Sequence, residues 1–259
     1  MIGGNIFTIF LVPNDPEPLK LKCSSFVMID DKNNGIIFDT GSPYDNETLI
    51  NELKAKFSLE PKDIKYVFNT HIHPDHVGGN ELFKNAKIIM SKIDFEFHKE
   101  MANASLNGGV KKFKEFLSEK CPHNTLTEKD CEDNVLFINR FWNLEKLGFN
   151  KEQEVLFLED NPKIPEYIMP LKTFGHTIGH YTFHIKGKSN DIYVTGDAIS
   201  NRLILNNHNR KIDEAQIFPE DYIKTIEVLK KNGGIFVPGH DKPFWTNNKT
   251  SVKENPFEL

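Results

Sequence analysis

Apolar residues along this chain switch between two periods. Short dense runs at 6–12, 25–29 and 35–38, bounded by Pro, Asp and Asn, read as strands. From 45 to 57 the period lengthens, and Leu49, Ile50, Leu53 and Phe57 fall on one face of a helix. Strand-like runs follow at 65–70 and 86–90. They return at 167–169, 181–185, 192–195 and 235–237. A well-marked helix starts at Pro219 with Glu220 and Asp221 in its first turn. Tyr222, Ile223, Ile226 and Leu229 face one side, Lys230 and Lys231 close it, and Gly233 and Gly234 stop it. The middle, 94–150, is rich in Lys, Glu, Phe and Asn, with Phe113, Phe116 and Leu117 at helical spacing. It predicts a mainly helical insertion. Two halves of similar strand–helix make-up are visible, without an internal repeat.

Composition narrows the class. At 259 residues, 38% apolar and 27% charged, the chain suits a soluble globular protein with a sizeable core, read as one domain over 1–259. A net charge of −5 argues against nucleic acid or an anionic membrane as partner. No apolar run approaches the roughly 20 residues of a membrane span. Residues 6–12 are apolar but short and end at Pro13, which predicts a first strand and not a leader. Cys23, Cys121 and Cys131 are scattered and form no C-x-x-C pair. That usage fits a reducing cytoplasm and argues against cysteine-ligated zinc.

Chemistry concentrates in His71-Ile72-His73-Pro74-Asp75-His76. Unpaired buried polar groups cost roughly 2–7 kcal/mol each, a cost that coordination to zinc or a similar ion removes. The cluster directly follows the 65–70 strand and precedes Val77-Gly78-Gly79-Asn80, so it occupies a strand-end loop. Three more loops have the same make-up: Gly175-His176-Thr177-Ile178-Gly179-His180, Gly196-Asp197 and Pro238-Gly239-His240. Each sets a His or Asp beside Gly at a strand end, and four such loops on one sheet edge would converge. Isolated His98, His123 and His208 read as structural or solvated, and His184, beside Phe183 in a strand, as half-buried and satisfied.

Together with Phe38-Asp39-Thr40-Gly41, these segments resemble the metallo-β-lactamase-fold superfamily of metal-dependent hydrolases, in the family's order and over nearly the whole chain. The resemblance implies an α+β fold, a four-layer αββα sandwich with a two-metal site on its edge. It implies that His71, His73 and His176 hold one ion, that Asp75, His76 and His240 hold the other, and that Asp197 bridges them. Asp39 and His180 would order the ligand loops from behind. Two zinc ions per chain are implied, with iron or manganese also suited to such ligands. The activity implied is hydrolysis of an ester-like bond (lactone, thioester or phosphoester) in a small substrate by a metal-bridging hydroxide, with Asp75 and Asp197 as catalytic carboxylates.

Within the superfamily the chain is most similar to the N-acyl homoserine lactonase-like hydrolases and to stand-alone metallo-β-lactamase-domain proteins related to a histone-mRNA nuclease. Gly78-Gly79-Asn80-Glu81-Leu82-Phe83 followed by Ile88-Ile89-Met90 carries the first likeness. Lactonases set a substrate-contacting tyrosine three residues after the bridging Asp. Ser200 stands there here, followed by Asn201 and Arg202, which makes Ser200 and Arg202 the substrate-contact candidates. Bacterial lactamases carry a cysteine at the position of Asp197, flavodiiron proteins carry a Glu in the cluster, and glyoxalase II-type enzymes add a C-terminal helical domain. Two alternatives remain open: a mononuclear iron oxidoreductase of the persulfide dioxygenase type, and a non-catalytic binding scaffold. Phe95, Phe97, Phe113, Phe116, Phe141 and Trp142 would form core, a dimer contact or a substrate lid. A homodimer is the default assembly.

Overall fold

The structure, a computed structural model, describes residues 5–10, 23–30, 33–141, 153–187, 190–206, 218–247 and 257–258. Strands β1 (Asn5–Phe10), β2 (Ser24–Ile29), β3 (Gly35–Phe38), β4 (Ile64–Phe68), β5 (Lys87–Met90) and β6 (Glu154–Phe157) lie side by side in chain order. A second sheet holds β7 (Ile168–Lys172), β8 (Tyr181–Ile185), β9 (Ile192–Gly196), β10 (Ile235–Pro238) and β11 (Phe244–Trp245), also in chain order. Strand β12 (Phe257–Glu258) returns to the first sheet and flanks β1. Pairing from β3 to β6 is parallel, as is β9 with β10; β1–β2–β3 and β7–β8–β9 pair antiparallel.

The helices are α1 (Asn46–Phe57), α2 (Pro74–Val77), α3 (Lys92–Lys120), α4 (Glu128–Phe141), α5 (Arg202–Asn206) and α6 (Pro219–Leu229). Ser91 caps α3 by accepting from Asp94 N, and Gly109, at φ 57° and ψ −149°, kinks it. Together α3 and α4 make the described part of 94–150 mainly helical. No helix among the described residues is long and apolar enough to cross a membrane.

Three apolar layers explain the order of elements. Strands β2, β3, β9 and β10 are apolar at consecutive positions because both their faces are covered. Phe26, Met28, Ile36, Phe38 and Phe68 of the first sheet meet Phe183, Ile185, Ile192, Val194, Ile235 and Val237 of the second. The alternate residues Val27, Ile37, Val67 and Ile88 turn the other way, onto Leu49 and Leu53 of α1 and Phe97, Phe113 and Leu117 of α3. On the far side, Tyr193 and Phe236 pack with Leu205, Tyr222, Ile226 and Leu229 from α5 and α6. Helices, sheet, sheet, helices: this is the four-layer αββα sandwich. Phe95, Phe97, Phe113 and Phe116 belong to its core. The side chain of Phe141, Trp142 and His208 lie outside the described residues.

Some elements differ from the sequence pattern. Strand β7 runs through Pro170 to Lys172, beyond the expected stop at 169. It is the edge of its sheet, where proline's missing N–H costs no ladder bond. Strand β6 is four residues at an edge of the first sheet, and without a fully buried position it shows no dense apolar run.

Candidate metal centre

Each strand that crosses the inter-sheet core ends at the same margin, and the loops there are tied across the sheets. Tyr181 N donates to Thr70 O at 2.8 Å, and Ser24 N donates to Gly239 O at 2.7 Å. Gly239 N donates to Gly196 O at 3.0 Å, and His240 N donates to Ser200 O at 2.8 Å. Gly239 must be glycine: a Cβ there would come within 1.9 Å of Asp197 Oδ1 and 3.1 Å of His76 Cε1.

The margin gathers the predicted side chains. Ligand-capable atoms of His71, His73 and His176 lie within 4.8 Å of one another, as do those of Asp75, His76 and His240, and those of His71, His76 and Asp197. Asp197 stands between the first two groups. Its Oδ2 is 3.3 Å from His176 Nε2 and 3.1 Å from His240 Nε2, while its Oδ1 is 3.5 Å from His76 Nε2. Asp75 Oδ2 lies 3.8 Å from His76 Nε2 and 3.7 Å from His240 Nε2.

Asp39 sets the orientation of two imidazoles. It follows β3 in the left-handed region, at φ 52°. That conformation is uncommon outside Gly, Asn and Asp, and such strain persists where surrounding contacts over-determine it. Its Oδ1 accepts from Thr70 N and its Oδ2 from the Thr70 hydroxyl, both at 2.8 Å. The same Oδ2 accepts from His76 Nδ1 at 2.8 Å. Because the Thr70 hydroxyl already donates to Asp39, it accepts from His71 Nδ1, 3.0 Å away. With both Nδ1 atoms engaged, His71 and His76 present Nε2 to the centre. Those two Nε2 atoms and Asp197 Oδ1 are buried without a hydrogen-bond partner.

Charge at the centre is divided: burial keeps most of the imidazoles neutral, while the carboxylates favour a proton on two of them. Burial drives His71, His73 and His180 well below the ordinary histidine range, with neighbouring imidazoles adding to the effect, and burial also lowers His176. Burial likewise opposes charge on His76, but Cys23, Asp197, Asp39 and Asp75 outweigh it and hold His76 well above that range. His240 is pushed up to about 9, the Asp197 carboxylate overcoming burial. Burial would raise Asp197, yet His240, His76 and His176 hold it far below the usual carboxylate range. Unpartnered imidazole nitrogens around a buried anion fit divalent metal ions.

Other predicted residues fall around this cluster. His180 is fully buried, stacks on His71 with ring centroids 5.0 Å apart, and shares Nδ1 with the Thr173 hydroxyl at 2.9 Å. Ser200 is buried and supplies the carbonyl that receives His240 N. The Arg202 guanidinium forks onto Asp241 (Nε to Oδ2 2.7 Å, Nη2 to Oδ1 2.8 Å), so its observed contact secures the residue after His240. His123 is exposed. His184 pairs with Asp191 at 2.9 Å and stacks on Tyr193. His98 is buried, donates Nδ1 to Asp94 O at 2.9 Å and sets its ring edge-on to His73 at 5.4 Å. Thr70 and Asp241 were missed, although each is the immediate neighbour of a predicted histidine, which was the available signal.

Known proteins place this arrangement. An N-acyl homoserine lactonase of Bacillus thuringiensis is 25% identical over 202 residues, which cover 76% of this chain and 63% of that protein. Metallo-beta-lactamase domain-containing protein 1 of Xenopus laevis is 36% identical over 56 residues, 22% of this chain and 24% of its own length. The matches thus span less than two thirds of these curated relatives. Among solved structures, AidC, a dizinc quorum-quenching lactonase in complex with a product, superposes with a TM-score of 0.56 at 19% identity, over 92% of this chain and 79% of that one. The profile of the metallo-beta-lactamase superfamily matches residues 20–240, a stretch that holds every residue of the centre, and the chain belongs to that superfamily.

Proposed function

We propose that this protein is a metal-dependent hydrolase that binds two divalent ions and cleaves an ester-like bond (lactone, thioester or phosphoester) in a small substrate. Superfamily membership and the lactonase relatives support a metal-dependent hydrolase. The observation that supports the two-ion reading is Asp197, whose Oδ2 lies between His176 of one group and His240 of the other while its Oδ1 faces His76. His71, His73 and His176 would hold one ion, Asp75, His76 and His240 the other, and Asp197 would touch both. Nitrogen and oxygen donors of this kind suit zinc, with iron or manganese as alternatives.

When bound, such ions lower the pKa of a coordinated water from 15.7 to about 7 and polarise the scissile oxygen. The chain's own residues supply the rest. Asp75, whose Oδ2 lies 3.7–3.8 Å from the His76 and His240 Nε2 atoms, would take the proton of the attacking water and pass it to the leaving oxygen or, in a thioester, the leaving sulfur. Asp39 and Thr70 fix which nitrogen of His71 and His76 faces the centre. Arg202 and Asp241 would keep His240 on its loop. The three cysteines, buried and unbridged, fit a reducing compartment such as the cytoplasm.

Elemental analysis of the purified protein combined with a panel of lactones, thioesters and phosphoesters tests this reading. Two ions per chain, and turnover lost in Asp197→Asn, are the expected results. One iron per chain would shift the reading to a mononuclear oxidoreductase. A metal-replete protein that takes up no ion would make it a binding scaffold.

A further inference from the structure

Asp94 is fully buried in the first turn of α3. A buried carboxylate is costly unless hydrogen bonds replace its water. An acidic residue three positions after a serine N-cap ordinarily turns back to the N-cap N–H, completing a capping box. Asp94 does not. Its backbone N donates to the Ser91 hydroxyl oxygen at 3.1 Å, but its carboxylate reaches across to two other loops. Oδ2 accepts from Ile72 N at 2.9 Å, and Oδ1 accepts from Gly179 N at 3.2 Å.

Those two amides are informative. Ile72 lies between His71 and His73; Gly179 lies between His176 and His180. One carboxylate therefore joins the loop carrying His71, His73, Asp75 and His76 to the loop carrying His176. The joint is tight, since a Cβ on Gly179 would meet Ser91 Oγ at 2.4 Å and Asp94 N at 2.6 Å. It is also braced from outside. Ser91 Oγ donates to Glu159 Oε1 at 2.9 Å, and Lys92 N donates to Glu159 Oε2 at 2.8 Å. One turn further along α3, His98 Nδ1 donates to Asp94 O at 2.9 Å and sets its ring edge-on to His73.

We propose that Asp94 is a positioning residue of the metal centre, its carboxylate fixing the distance between the His71/His73 pair and His176 by holding the amides of Ile72 and Gly179. The inference rests on the metal-centre reading and adds to it the first turn of α3, a segment outside the ligand motifs.

The test uses zinc and cobalt(II) as probes on the full chain. Asp94→Asn keeps the side chain's size but aims an amide N–H at one of the two backbone donors. Zinc affinity of the metal-stripped protein, measured by competition with a chromophoric chelator, is expected to fall 10–100-fold, the usual cost of losing a group that orients ligands. The visible absorption of the cobalt-loaded variant is expected to change, because the ligand geometry changes. Gly179→Ala leaves every charge in place and pries the same loops apart; it should reproduce both effects, and it carries the test should Asp94→Asn fail to fold. A role confined to folding would lower the melting temperature of the metal-free protein while zinc affinity and cobalt spectrum stayed as in the wild type, and that result overturns the proposal alone. A wild-type chain that binds neither metal overturns it together with the metal-centre reading.

Discussion

The inter-sheet core and the loop margin lie one to three residues apart on the same strands, and they follow opposite rules. Phe38, Phe68, Val194 and Val237 are buried among apolar neighbours. Asp39, His71, Asp197 and His240 come next along the same segments. In the core, Phe68 stacks on Phe38 at 5.0 Å and meets Phe183 edge-on at 5.2 Å. At the margin, equally buried atoms go without hydrogen-bond partners: His71 Nε2, His76 Nε2 and Asp197 Oδ1. The core gains free energy from what it excludes. The margin gives free energy up and recovers it when a cation is bound. A protein built this way should fold without its metal and work only with it.

The largest test of that contrast is Asp197→Asn. It removes the one anion shared by both histidine groups, and turnover should fall by about 1,000-fold or more, equivalent to roughly 4 kcal/mol of transition-state stabilisation. Melting of the metal-free protein should fall only modestly, as His76 and His240 lose a buried counter-ion. An apoprotein that unfolds on this substitution would erase the distinction between the two regions.

Phe183→Ala makes the opposite cut. Phe183 is fully buried and touches both Phe38 and Phe68. Its truncation should cost about 3–5 kcal/mol by urea unfolding. Metal content per folded molecule should stay at the wild-type value.

Between these extremes stands Asp39→Asn, a change at the boundary itself. The amide can still accept one hydrogen bond, but it no longer serves Thr70 N, the Thr70 hydroxyl and His76 Nδ1 together. Zinc affinity should drop 10–100-fold. At zinc 100 times the wild-type Kd, where binding stabilises by about 2.7 kcal/mol, the variant should lose about 1.3–2.3 kcal/mol of that gain in a thermal melt. An unchanged zinc-induced shift would show that the Asp39 hydrogen bonds do not prepare the imidazoles.

The two regions also differ in how far the sequence discloses them. Strands β2, β3, β8, β9 and β10 were legible because burial on both faces leaves dense apolar runs. The inward set is read off one alternation, Phe26 and Met28 against Val27. The ligand loops were legible because glycine, histidine and aspartate at strand ends have few structural uses. Strands β6 and β11 were not, being four and two residues long at sheet edges. Nor were the supports of the centre. Asp94 lies on a helix where an acidic first turn is ordinary, and only its contacts with Ile72 and Gly179 set it apart. Arg202 drew attention by its distance from Asp197, yet its partner Asp241 comes from another loop, which no local pattern announces.

The smallest effect belongs to that last pair, and pH isolates it. Arg202 and Asp241 are part-exposed, so the clamp is worth about 1 kcal/mol or less. Burial by itself would raise the Asp241 carboxyl, but hydrogen bonds from Arg202 outweigh it and hold the group below the usual carboxylate range. A carboxyl whose pKa is lower folded than unfolded stabilises the fold fully above its unfolded value, about 3.9. That contribution fades as pH falls through the lower, folded value. The stability difference between wild type and Asp241→Asn should therefore be flat from pH 5 to 7 and shrink in acid. Because Asp241 adjoins His240, the variant should also show a modest rise in KM at neutral pH. A difference that instead grew on acidification would mean that Asp241 carries no depressed pKa in the folded chain, and that the loop bearing His240 is held by its backbone bond to Ser200.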